Sequence, residues 1–278
     1  MPASWCPLSD SSFTPPLAPL KPPRRSAGRL RTIIALILRE MASVYGKSPG
    51  GYIWALLEPI GMIVLLSFGF SLLLRTPSLG NSFILFYATG YLVYNIFPKQ
   101  SQVVGNALTF SKALLTYPAV SWLDAVAGRI ILNMLTSVTV SYILLATILV
   151  LVDSRVVLSF GPIFQAYILC ALLGIGAGLV NCAIIGFFPV WRTIWSVATR
   201  PLMLASGVIV IHEDLPPFAQ SLLVYNPLMH VTGLMREGFY PMYAPQYISH
   251  IYVLVIGLSL IALGLMLLRR FNQEILNR

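Results

Sequence analysis

Charge is scarce in this chain. Only 10% of its 278 residues are Asp, Glu, Lys or Arg, while 57% are hydrophobic. Soluble domains carry about 25% charged residues, so a water-soluble globule is excluded. Disorder needs low hydrophobicity, and a mean hydropathy of +0.81 excludes it for most of the chain. Acidic residues number nine, and only Glu213 and Asp214 adjoin each other. That is too few for the carboxylate clusters of a membrane-embedded glycosyl- or lipid-modifying enzyme.

Other absences narrow the field further. The three cysteines, Cys6, Cys170 and Cys182, are odd in number and have no metal-like spacing. Cys170 and Cys182 lie in an apolar run, where thiols act as small hydrophobes. His212, His230 and His250 share no metal spacing either, so neither a metal nor a cofactor is expected. No Ser/His/Asp arrangement follows from spacing. No G-x-x-x-x-G-K-[ST] motif occurs, so the chain has no P-loop and no ATPase site of its own. Short alternating strands of about ten residues, the mark of a membrane barrel, are missing. No internal repeat of the kind found in inverted-repeat carriers is present.

What is present are long apolar runs, which point to an all-α integral membrane bundle. Residues 1–28 stand apart as a flexible tail rich in Pro and Ser. The tail lacks the apolar core of roughly 7–15 residues that a signal peptide needs. From 29 to 46, Leu30, Ile33, Ile34, Ile37, Met41, Val44 and Tyr45 fall on one helical face, with Arg31 and Arg39 off it. A basic amphipathic helix before a span is expected to lie in the headgroup layer. Ser48-Pro49-Gly50-Gly51 ends it. Six spans are expected, at about 53–74, 82–98, 130–152, 163–188, 193–211 and 249–268. Gly174-x-Gly176-x-Gly178 in the fourth reads as a close-packing face.

The net charge of +9 follows topology. With the N-terminus inside, Lys21, Arg24, Arg25, Arg29, Arg31, Arg39, Lys47, Lys99, Lys112, Arg192, Arg269, Arg270 and Arg278 fall on the inner side. Only Arg75, Arg155 and Arg236 fall outside. The positive-inside rule then places both termini in the cytoplasm, and positive charge spread over a membrane face removes nucleic acid as a partner. Two connections exceed a turn. Residues 99–122, inside, carry a broadly helical apolar pattern that Pro118 stops. Residues 212–248, outside, are apolar but broken by Pro, which suits short helices or a re-entrant element.

Two features suggest a path through the bundle. Glu58 in the first span and Arg200 in the fifth are ionisable groups within apolar runs, and such groups usually face a bundle interior or water. Glu58 also suits headgroup depth. Tyr52 and Trp54 enter the first span as interfacial aromatics or as part of the path. Tyr87, Tyr91 and Tyr94 share one helical face of the second span. Phenols offer an apolar face and a hydrogen-bonding tip, so this stripe suits either packing or contact with a sugar chain.

Four stretches together carry a family resemblance: LREMASVYGKSPGGYIWALLEP (38–59), NALTFSKALLTYP (106–118), YNPLMHVTGLMREGFYP (225–241) and the basic ending LRRFNQEILNR. Their order relative to six spans resembles the type-2 ABC exporter permeases, specifically the capsular-polysaccharide export branch, over residues 29–278. The resemblance implies a homodimeric, multi-pass permease of the bacterial inner membrane. It implies two copies of a separate ATP-binding subunit and a lipid-linked polysaccharide as cargo. It matches 29–46 to an interfacial gate helix. It also implies that Asn106, Lys112, Leu115, Tyr117 and Pro118 belong to the element that docks on the ATPase. After Tyr117-Pro118 the loop reads AVSWLD, lacking the basic residue the family pattern has there. O-antigen or teichoic-acid export and drug efflux stay open as alternatives, and so does engagement of periplasmic export proteins.

Overall fold

A computed structural model describes residues 31, 33–41, 53–115, 121–152 and 157–277. Among these residues the regular structure is entirely helical. Helix α1 covers 33–41. It is followed by α2 (Ile53–Ser71), α3 (Phe83–Gly105), α4 (Ala107–Leu115), α5 (Trp122–Leu151) and α6 (Phe160–Phe187). The remainder are α7 (Trp191–Leu204), a 3-10 turn (His212–Asp214), α8 (Pro217–Leu223), α9 (Pro227–Phe239) and α10 (His250–Asn277). The tail at 1–28 and the helix-breaking residues 48–51 lie outside the described residues.

Polar residues mark the helix ends. Ser82 caps α3 by accepting from the Leu85 amide at 3.4 Å. Ser121 and Asp124 form a reciprocal capping box at α5, which satisfies donors that no helical turn reaches. At α9, Asn226 accepts from the Leu228 amide at 3.1 Å and donates to the Ala205 carbonyl at 2.8 Å. One side chain therefore starts α9 and ties it to the end of α7.

Helix α6 is the central strut, packed between α3 and α10. A Cβ added at Gly174 would lie 2.9 Å from Cβ of Gln100, and one at Gly178 would lie 2.6 Å from Cβ of Val104, both on α3. On the opposite face, a Cβ at Gly176 would lie 2.7 Å from Cβ of Leu260 on α10. The glycine series is thus a two-sided close-packing face, the device by which helices approach without a hydrophobic driving force. Cys170 and Cys182 are buried free thiols within it.

Among the described residues four helices are long and apolar enough to cross a bilayer: Ile53–Ser71, Trp122–Leu151, Phe160–Phe187 and His250–Ile275. On α2 and α5, Leu65, Phe68, Tyr142 and Val150 are exposed apolar side chains. Helix α3 runs beyond the expected 82–98, through Pro98 to Gly105, so the first part of the expected inner loop is helical. The expected span at 193–211 takes a different form. Helix α7 has 14 residues, about 21 Å at 1.5 Å per residue, short of the roughly 30 Å hydrocarbon core. It ends in a turn at Gly207 (φ +71°), where a Cβ would meet Sδ of Met229 at 2.5 Å, so only glycine fits. The outer segment folds as short helices, and α9 is buried along most of its length.

Candidate translocation surface

Helix α7 is amphipathic, and none of its residues is fully buried. Three side-chain hydrogen bonds hold its inner face. Tyr94 Oη donates to the Thr199 carbonyl at 2.7 Å. Trp195 Nε1 donates to Ser101 Oγ at 3.0 Å, and Trp191 Nε1 donates to Asn181 Oδ1 at 2.9 Å. Helix α7 is therefore docked on α3 and α6 by polar contacts, and its outward side presents Arg192, Thr193 and Arg200 together with Ile194, Val197 and Leu204. Under it lies a cavity of about 100 Å³ walled by α3, α6 and α7.

A second polar recess of about 50 Å³ lies between α2, α3 and α5. Asn95, Lys99, Asn133, Thr136, Ser137 and Ser141 contribute to its walls. Lys99 Nζ lies 3.0 Å from a Glu58 carboxylate oxygen at its edge. Asn133 Nδ2 donates to Gln100 Oε1 at 2.5 Å. The side chains thus make a polar seam between three otherwise apolar helices.

The residues singled out from sequence divide between surface and core. Glu58 is exposed and paired with Lys99; Trp54 and Arg200 are exposed. Tyr87, Tyr91 and Tyr94 are all buried, at 1%, 7% and 4% exposure. Tyr87 packs against Phe70, Phe83 and Phe86. The tyrosine stripe thus faces the core of the bundle, and Tyr94 acts from beneath as an anchor for α7. Asn106 is buried at the α3–α4 junction, Lys112 is exposed on α4, and Leu115 is half-buried. Tyr52, Tyr117 and Pro118 lie outside the described residues.

Sequence reasoning missed several polar groups. Asn133, Thr136, Ser137 and Ser141 recur at helical spacing in an uncharged run, a signal that could have exposed the seam. Asn181 and Arg192 carry no such pattern. Arg236 on α9 is 1% exposed, stacked 4.1 Å over Phe86, and donates to the Val208 carbonyl at 2.9 Å. It joins α9 to α3 and to the turn after α7. Before α10, Tyr243 Oη donates to a Glu213 carboxylate oxygen at 3.0 Å, and His212 stacks on Tyr247 at 4.2 Å. Burial pushes the Tyr247 phenol up to about 12. Among the described residues no group of His, Cys, Asp and Glu could hold a metal ion.

Residues 31–240 match the family described as ABC-2 type transporter, and the chain belongs to that family. It is 27% identical to the polysialic acid transport protein KpsM of Escherichia coli, over 88% of this chain and 95% of the relative. It is likewise 27% identical to the capsule polysaccharide export inner-membrane protein BexB of Haemophilus influenzae, over 88% and 92%. It is 26% identical to the capsule polysaccharide export inner-membrane protein CtrC of Neisseria meningitidis serogroup B, also over 88% and 92%.

Proposed function

We propose that this chain is the membrane permease subunit of an exporter that moves a lipid-linked capsular polysaccharide across the bacterial inner membrane. Two copies form the path, and two copies of a separate ATP-binding subunit drive it from the cytoplasmic side. The observation that carries this reading is α7. Its indoles and Thr199 bind the bundle through hydrogen bonds, leaving a face with Arg192, Thr193 and Arg200 outward. Two arginines exposed on one short helix are costly against lipid and suit the wall of a hydrated path completed by a second copy. The names of the relatives, three of them export or transport proteins for capsule polysaccharide or polysialic acid, support the cargo.

In this reading the chain crosses six times, with α3 and with α7 plus its following turn as the two less apolar crossings. Both termini are cytoplasmic, as the distribution of Lys and Arg favours. Helix α1 lies at the inner interface. Helix α4, with Lys112 exposed, faces the ATPase subunit, and Asn106 passes its movement to α3. Glu58, Lys99 and Arg200 line the path, while the tyrosines support it from behind. Purified chain alone should show no ATP turnover and should gain nucleotide-dependent transport only with the partner subunit. ATP hydrolysis intrinsic to the lone chain would overturn this assignment.

A further inference from the structure

The cavity under α7 carries two buried polar atoms without partners, one donor and one acceptor. Asn106 and Asn181 are 7% and 3% exposed, and both line the cavity. The orientation of each amide is fixed by its other half. Asn181 Oδ1 accepts from the Trp191 indole, so its Nδ2 is the atom left free. Asn106 Nδ2 donates to the Gln102 carbonyl at 2.7 Å, so its Oδ1 is left free. A flip of either amide would set donor against donor or acceptor against acceptor. Unpaired buried groups of this kind are costly, and they call for something that both donates and accepts.

A hydroxyl does both; a carboxylate or phosphate oxygen does not, because it has no proton to give Asn106 Oδ1. The floor of the cavity therefore selects an alcohol over an anion. Its rim reverses that preference. Arg192 is exposed, lines the cavity, and has no carboxylate partner among the described residues. Ser196 and Thr199 also line the cavity, their hydroxyls donating to the Thr193 and Ser196 carbonyls and so left as acceptors. A ligand that meets both ends must carry hydroxyls on one edge and negative charge on the other.

We propose that the mouth of this cavity binds the edge of one acidic sugar unit of a polysaccharide, a single hydroxyl reaching in between Asn106 and Asn181 while the ring stays outside with its carboxylate at Arg192. The proposal rests on the export reading above and deepens it. Asn106 stands at the junction of α3 and α4, so occupancy of the site is felt directly by the helix assigned to the ATPase contact.

The test uses the full chain in phosphatidylcholine nanodiscs, titrated with a glucuronic-acid tetrasaccharide and with neutral tetraglucose. The acidic probe should bind more tightly. Arg192→Gln should weaken it roughly tenfold, the effect of one charge-assisted hydrogen bond, and leave the neutral probe unchanged. Asn181→Asp keeps the acceptor for Trp191 but replaces the free donor, and should weaken both probes. No binding of either probe, equal affinity for the two, or indifference to both substitutions would make the cavity a water-filled gap and overturn the proposal. The export reading is separated in cells. If deletion of the chain abolishes surface polysaccharide while both variants export at the wild-type level, the site is overturned and the permease assignment stands. If deletion has no effect, the assignment itself falls.

Discussion

Arg129 of α5 donates to Glu40 of α1 at 2.6 Å while its guanidinium lies 4.6 Å over the ring of Phe110 on α4. One side chain thus joins the helix assigned to the interface, the helix assigned to the ATPase contact and a long apolar crossing helix. The Arg129 side chain is only 8% exposed and that of Glu40 23%. Glu40→Ala strands a buried cation, at a cost of roughly 3 kcal/mol. Replacing both residues, Glu40→Ala with Arg129→Met, should recover much of that loss. Thermal unfolding of the three variants checks this. A double variant no better than Glu40→Ala alone would show that the pair is not the contact that matters.

The glycine face of α6 predicts a contrast between two conservative substitutions. Gly178→Ala drives a methyl group to 2.6 Å from Val104 and should destabilise by about 1–3 kcal/mol through overpacking. Gly161→Ala, on the same helix with nothing within 4 Å, should stay within about 0.5 kcal/mol of wild type. Unfolding midpoints in one detergent compare them, and equal midpoints would contradict the packing described.

His230 predicts a pH dependence. Its Nε2 lies 2.8 Å from the Val224 carbonyl, and its Nδ1 accepts from the Ser249 amide at 3.2 Å. The neutral ring serves both bonds, whereas a proton on Nδ1 would oppose the Ser249 N–H. Burial holds its pKa below the ordinary histidine value. The unfolded state therefore binds the proton first, and stability is complete above about pH 6.5 and declines below it. Protection factors of the α9 amides, which remove the intrinsic pH dependence of exchange, should fall between pH 7.5 and pH 5.5, and His230→Gln should flatten that response. The same slope in the variant would assign the effect elsewhere.

On α4, Lys112 is exposed beside Thr109 and Phe110, also exposed. Lys112→Glu should reduce co-purification of the ATPase subunit while leaving the chain in the membrane. Undiminished co-purification and export would move the contact away from α4.

Sequence pattern reached some of these features and not others, for identifiable reasons. The apolar spans were legible because a bilayer demands long continuous runs. The stretch 193–211 reads as one longer span because apolar residues continue past Arg200-Pro201 to Ile211, while the end of α7 at Leu204 depends on the turn that Gly207 permits. Glu58 stood out as an ionisable group in an apolar run, but its partner Lys99 is on another helix and no local periodicity links them. The spacing of Tyr87, Tyr91 and Tyr94 revealed a shared face without saying which way it points. The α3–α6 packing turns it inward. Asn106 and Asn181 become a pair only through that same packing.

The most direct measurement is the fate of polysaccharide in cells that lack this chain but keep the ATPase subunit and the enzymes of synthesis. The account predicts that lipid-linked polysaccharide accumulates inside the cell, that none reaches the surface, and that restoring the chain returns it there. Unchanged surface polysaccharide in the absence of the chain would contradict it.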